Sequence, residues 1–171
     1  MKFNNRNICI FGCALSAAIA GCSYSFTGAS VPPHLQTIAI SIVQDRSNKG
    51  EPNLDNLFTD ELINKFLNDN TLEVTDKNNA DALLECTILS LSDSPELISG
   101  DREKATTRRM TITVKVQYKD LVNKKSVFDK NFSNYETYDT ESDFISARNS
   151  AIEAVVDYLT EDILLGVVSN W

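Results

Sequence analysis

Histidine and tryptophan are almost missing from this 171-residue chain, and glycine is sparse. The one histidine, His34, follows Pro32 and Pro33 and reads as an exposed linker residue. A serine triad needs a histidine fixed by packing, so that chemistry has no support. Glycines 28, 50, 100 and 166 are scattered, and no loop is built to cradle a phosphate. Once the N-terminal cysteines are accounted for below, one histidine and Cys86 are too few ligands for zinc. Asp139, Glu141 and Asp143 alternate like the start of a calcium loop. Phe144 and Ser150 then stand where that loop needs glycine and glutamate. A helix N-cap at Ser142 or Asp143 accounts for those residues better. No pair of carboxylates is singled out for glycoside hydrolysis. The sequence therefore points away from an enzyme and calls for no cofactor and no metal.

Long apolar runs are also lacking. The longest, Ile8 to Ala20, is too short to cross a bilayer, which needs about 20 residues. With Lys2 and Arg6 before it and Ile19-Ala20-Gly21-Cys22 at its end, it reads as the signal peptide of a bacterial lipoprotein. Cleavage would remove residues 1–21 and leave acyl chains on Cys22. Such chains hold a protein firmly at a membrane, since each buried methylene contributes about 0.8 kcal/mol. Residue 23 is Ser rather than the aspartate of inner-membrane retention, and no acidic run follows. Known sorting rules then predict the outer membrane, facing the periplasm. Cys86 alone remains outside this segment, so an intramolecular disulfide is impossible and the thiol is expected to be a small buried hydrophobe.

After residue 21 the chain carries 14 bases and 24 acids, which argues against a nucleic-acid partner. The charge is uneven. Residues 102–130 hold nine bases and three acids, a local charge of +6 against −16 elsewhere in the mature chain. An asymmetry of this kind bears on partners more than on fold.

Residues 22–35 read as a lipidated tether broken by Gly28, Pro32 and Pro33, and residues 36–171 as one domain. A strand is predicted over 36–43 with Ile38, Ile40 and Ile42 on one face, then a polar loop over 44–52. A helix over 53–69 carries the stripe Leu54, Leu57, Phe58, Leu62, Phe66 and Leu67. Strands follow at 71–76, 82–92, 104–122 and 126–137, with a tight turn at Asn123-Lys124-Lys125. In the third of these, Met110, Ile112, Val114, Val116 and Tyr118 alternate with polar residues. A closing helix spans 143–168. The prediction is an α+β two-layer sandwich, with two amphipathic helices on one face of a four- to five-stranded mixed sheet.

Several segments together resemble a family: Cys22 leading into Ser23-Tyr24-Ser25-Phe26-Thr27-Gly28, the entry Pro32-Pro33-His34-Leu35 into Thr37-Ile38-Ala39-Ile40, Ala80-Asp81-Ala82-Leu83-Leu84, the run from Thr107 to Val116, and the close Val168-Ser169-Asn170-Trp171. Over essentially the whole mature chain this resembles the LPS-assembly lipoproteins (LptE-like) in their Bacteroidota-type form. The resemblance implies two helices on a four-stranded sheet. It also implies partnership with a large outer-membrane β-barrel of the LptD type, as a plug that helps deliver lipopolysaccharide to the outer leaflet. Some members bind lipopolysaccharide directly. Enterobacterial members differ too much for their ligand positions to be carried over.

The charge pattern supplies the candidate site. Arg109, Lys115 and Lys119 share the polar parity of their strand, Arg108 lies near its edge, and Lys124 and Lys125 occupy the hairpin tip. Arg and Lys pair well with phosphate. These six are the candidate contacts for lipopolysaccharide or the barrel wall, the alternative being a solvated sheet face with a charged turn. Trp171 reads equally as an interface anchor or a core lid. The strand Ile38 to Ile42 followed by Asp45-Arg46-Ser47 also fits other envelope lipoproteins, wall-synthase activators or secretion-pore components. That functional alternative stays open, because fold alone does not choose between them.

Overall fold

The computed structural model describes residues 31–96, 107–141 and 143–169. The signal segment, Cys22, most of the tether, Arg102, Lys104 and Trp171 lie outside the described residues. Among the described residues six strands and two helices follow in order: β1 (Thr37–Ile40), β2 (Gln44–Asp45), α1 (Leu54–Asp69), β3 (Glu73–Val74), β4 (Ala82–Pro95), β5 (Thr107–Asp120), β6 (Lys125–Asp139) and α2 (Phe144–Val168). They build the α+β architecture expected, with one strand more than the count of four or five.

The sheet order is β3-β1-β4-β5-β6, and β2 also pairs with β4. β1 runs parallel to both β3 and β4, while β4, β5 and β6 are antiparallel. The extra strand arises from a break in the first one. Ile40 pairs with Leu84 and Gln44 with Thr87, so β1–β2 spends one residue more than β4 over the same stretch. Within the break, the Val43 N–H leaves the sheet and donates to Thr59 Oγ1 of α1 at 3.0 Å. This inverts the parity: Val43 turns into the core, and Ile42, expected beside Ile38 and Ile40, is 71% exposed.

β5, paired on both sides by β4 and β6, shows why the layers form. Met110, Ile112, Val114, Val116 and Tyr118 are all fully buried on the helix side. The odd-numbered residues from Arg109 to Lys119 are only half-buried on the other side. From α1, Leu54, Phe58, Leu62 and Phe66 form a fully buried row at four-residue spacing, while Leu57 and Leu67 flank it in contact with solvent. α2 contributes Val155, Val156, Leu159, Ile163 and Val167. Its N-terminus is capped as expected, Asp143 Oδ1 accepting from the Ser146 N–H at 3.2 Å. Lys65 of α1 bridges to Asp157 and Glu161 of α2 at 2.7 and 3.3 Å, tying the helices together.

The segment before β1 is joined to the body. Leu35 is buried. Asp81 Oδ2 accepts from the N–H groups of Gln36 and Thr37 and from the Thr37 hydroxyl, at 2.9–3.1 Å. His34 keeps its exposure but is not a free linker residue: its Nε2 lies 2.8 Å from Asp120 Oδ2.

Candidate functional site

The helices cover one side of the sheet. The opposite side of β4–β5–β6 carries mainly serine, threonine and charged residues, and three of the six candidate cations project from it. Each of the three has an acidic partner. Arg109 Nη2 meets Glu96 Oε1 at 2.6 Å, and its guanidinium stacks 4.1 Å from the Tyr135 ring centroid. Lys115 Nζ is 3.2 Å from Asp129 Oδ2, which also accepts from Gln117. Lys119 pairs with Glu85. The Gln117 bond, followed by Lys115 and opposed by slight burial, holds the Asp129 carboxyl below its usual range.

Arg108 faces the other way. Its Nε donates to Asp93 Oδ1 at 2.8 Å and Nη2 to the Asp93 carbonyl at 3.0 Å. The Tyr138 hydroxyl donates to Asp93 Oδ2 at 2.8 Å, and Arg148 of α2 reaches that oxygen at 3.6 Å while holding Glu51. The bond to Asp93 raises the Arg108 guanidinium further above its ordinary value despite opposing desolvation. Arg108 is thus part of a clamp between sheet end and helix layer.

Lys124 and Lys125 stand at the opposite end of β5. Residues 121–124 form the turn, with Lys124 at φ 53° taking the left-handed position and Lys125 opening β6. From Arg109 to this turn the strand spans roughly 40 Å. The six candidates therefore do not converge: the structure separates a face (Arg109, Lys115, Lys119), a tip (Lys124, Lys125) and a clamp (Arg108).

The broken strand adds residues to the face that periodicity did not pick out. A groove of about 310 Å³ is lined by Ile42, Arg46, Thr87, Leu89, Lys115 and Gln117 among others. Ile42 is 71% and Leu89 39% exposed, so aliphatic surface borders the lysine. Leu89 is turned out by a bulge between Ile88 and Ser90. The mismatch between β1–β2 and β4 exposes Ile42 and the β4–β5 bulge exposes Leu89, and neither irregularity has a local sequence signal.

Cys86 is the buried hydrophobe expected, and burial pushes its thiol up to about 12, so it stays protonated. Among the described residues, no group of three or more histidine, cysteine or carboxylate side chains is placed to hold a metal ion. No helix among them is long and apolar enough to cross a membrane.

The site is thus a polar, cation-bearing sheet face with exposed aliphatic side chains, on a small helix-on-sheet domain. The sequence matches the LptE family, described as lipopolysaccharide-assembly, over residues 35–167, and the chain belongs to that family. No curated protein is similar enough in sequence to count as a match. Solved structures share the fold at low identity. A hypothetical protein from Chlamydia trachomatis is 13% identical, with a TM-score of 0.59 over 78% of this chain and 95% of that one. A minor lipoprotein from Acinetobacter baumannii is 15% identical, with a TM-score of 0.55 over 80% and 94%. A putative lipoprotein from Caulobacter crescentus is 14% identical, with a TM-score of 0.51 over 75% and 86%.

Proposed function

We propose that this protein is a non-enzymatic outer-membrane lipoprotein, anchored by acyl chains on Cys22 and facing the periplasm. In this reading, residues 1–21 are removed, 22–35 form the tether and 36–171 the working domain. It partners an LPS-assembly β-barrel of the LptD type, as plug and assembly factor in lipopolysaccharide transport to the cell surface. Family membership supports the process. The observation that carries the site is the uncovered sheet face, where Lys115 borders exposed Ile42 and Leu89. A cation beside aliphatic surface suits an amphiphile with phosphates at one end and acyl chains at the other.

On this face Arg109, Lys115 and Lys119 are the lipopolysaccharide or barrel contacts, and a bound phosphate replaces their present carboxylate partners. Exposed ion pairs of this kind are worth only about 0–1 kcal/mol, so the exchange costs little. Arg108 supports the face from behind.

The deciding experiment is a detergent pull-down of the tagged protein from isolated outer membranes, with mass spectrometry of the captured chains. An LPS-assembly barrel in near-equal amount is the expected result. Capture of wall synthases, a self-assembled ring, or no partner at all would overturn the assignment in favour of a different envelope lipoprotein.

A further inference from the structure

We infer that the β5–β6 turn is a membrane-contact surface that rests on the phosphate headgroups of the bilayer holding the anchor. The inference rests on the lipid-anchor reading above and adds an orientation to it.

The chain enters the fold beside this turn. His34 Nε2 lies 2.8 Å from both Asp120 Oδ2 and Asn123 Nδ2, and Leu35 is buried directly afterwards. The twelve residues from Cys22 to His34 reach at most about 40 Å even when fully extended. The turn therefore lies where the tether enters the fold, within about 40 Å of whatever surface holds Cys22.

The turn has the chemistry of a headgroup contact. A cleft of about 330 Å³ is lined by Lys119, Asp120, Leu121, Lys124, Lys125 and Ser126. Among the described residues Lys124 and Lys125 make no ion pair, unlike Arg108, Arg109, Lys115 and Lys119. The acids nearby are occupied: Asp120 by His34 and Asn123, Asp81 by Gln36 and Thr37, Asp129 by Lys115 and Gln117. Val122 projects an apolar side chain at the tip, 53% exposed. Residues 121–126 carry two bases and no acid, while the rest of the mature chain carries a charge of −12, so an anionic bilayer repels the body and attracts this end. One lysine near such a surface is worth roughly 5-fold in affinity, which is weak alone. Anchoring makes the contact intramolecular, and the weak preference then sets orientation.

The test places a fluorophore on Val122→Cys and, as a control, on Ser94→Cys near the far end of the sheet. Buried Cys86 leaves the introduced thiol as the reactive one. The full chain is expressed, purified from membranes and reconstituted into phosphatidylcholine–phosphatidylglycerol vesicles that carry a headgroup nitroxide quencher. Mass analysis of the N-terminal peptide decides separately whether Cys22 is acylated. If it is not, the chain from residue 23 is attached through an N-terminal hexahistidine tag to nickel-chelating lipid, which restores the same tether. Quenching at position 122 at least about 3-fold above position 94, lost in the Lys124→Glu/Lys125→Glu variant and in high salt, is the expected result. Equal quenching at the two positions, or no response to charge reversal, overturns the inference whatever the state of Cys22.

Discussion

Arg108 and Asp93 meet across the β4–β5 pair at 2.8 Å, on the side of the sheet that the helices cover. The neighbouring Arg109 meets Glu96 at 2.6 Å on the uncovered side. Two adjacent arginines thus do different work because strand residues alternate faces. Asp93 also serves Tyr138 and Arg148, so Asp93→Ala strands several partly buried donors at once. That loss is expected to cost about 2–3 kcal/mol in denaturant unfolding. Glu96→Ala removes one half-exposed partner and is expected to cost under about 1 kcal/mol. Equal costs would show that Asp93 is no clamp.

The same division makes a prediction for ligand binding. Arg109→Glu/Lys115→Glu reverses two charges on the uncovered face and leaves the core untouched. Binding of lipopolysaccharide, followed by a fluorescent lipid A probe, is expected to fall about 10-fold or more, since charge-assisted hydrogen bonds to phosphate contribute of order 1.5–3 kcal/mol each. Arg108→Gln, measured at a temperature where it stays folded, is expected to bind within about 2-fold of the parent. A face variant that binds normally would remove the sheet face from the proposal.

How far all this was legible depended on whether a signal was local. The alternation from Met110 to Tyr118 and the four-residue spacing from Leu54 to Phe66 are decided by period alone, and both elements formed where expected. The break after Ile40 is decided by a contact between Val43 and Thr59, sixteen residues away, which no window around Ile42 contains. The candidate cations stand out by charge density, and Arg109, Lys115 and Lys119 also by strand parity. Density does not show that Glu85, Glu96 and Asp129 would be brought against them by strand register, nor that Lys124 and Lys125 would be left without an ion pair among the described residues. Parity places Arg109, Lys115 and Lys119 on the polar face, and it also places Arg108, by its even number, with Met110 rather than with Arg109.

Acid should open the joint between the entering chain and the turn. Burial acts to raise the Asp120 carboxyl, but the Asn123 N–H, the His34 ring and the Asn123 amide outweigh it and bring it down to about 2. Asp81 is lowered too, first by the Gln36 N–H and then by the Thr37 hydroxyl. A carboxylate depressed by folding stabilises fully above its ordinary value of 3.8 and loses that contribution as pH falls through the depressed one. Stability should therefore decline from about pH 4 towards pH 2. Denaturant midpoints measured across that window should fall less steeply for Asp120→Ala, which is expected to be about 1–2 kcal/mol less stable than the parent at pH 7. An unchanged slope would remove Asp120 from the acid response.

Gly166 tests how tightly α2 lies on the sheet. A Cβ built there would come within 3.0 Å of Phe132 Cζ and 3.4 Å of its Cε1, with Lys130 Nζ at 3.9 Å. The ring belongs to β6 and is only partly buried, so it can yield by a few tenths of an ångström. Alanine also favours the helix over glycine by about 1 kcal/mol. These effects oppose each other, and Gly166→Ala is expected to stay within about 1 kcal/mol of the parent. Valine adds two methyl groups against the same ring, beyond what that small shift accommodates, and Gly166→Val is expected to lose about 1–3 kcal/mol. Thermal unfolding of both variants separates the cases. A valine variant as stable as the parent would mean that the helix and β6 are not in close contact at this point.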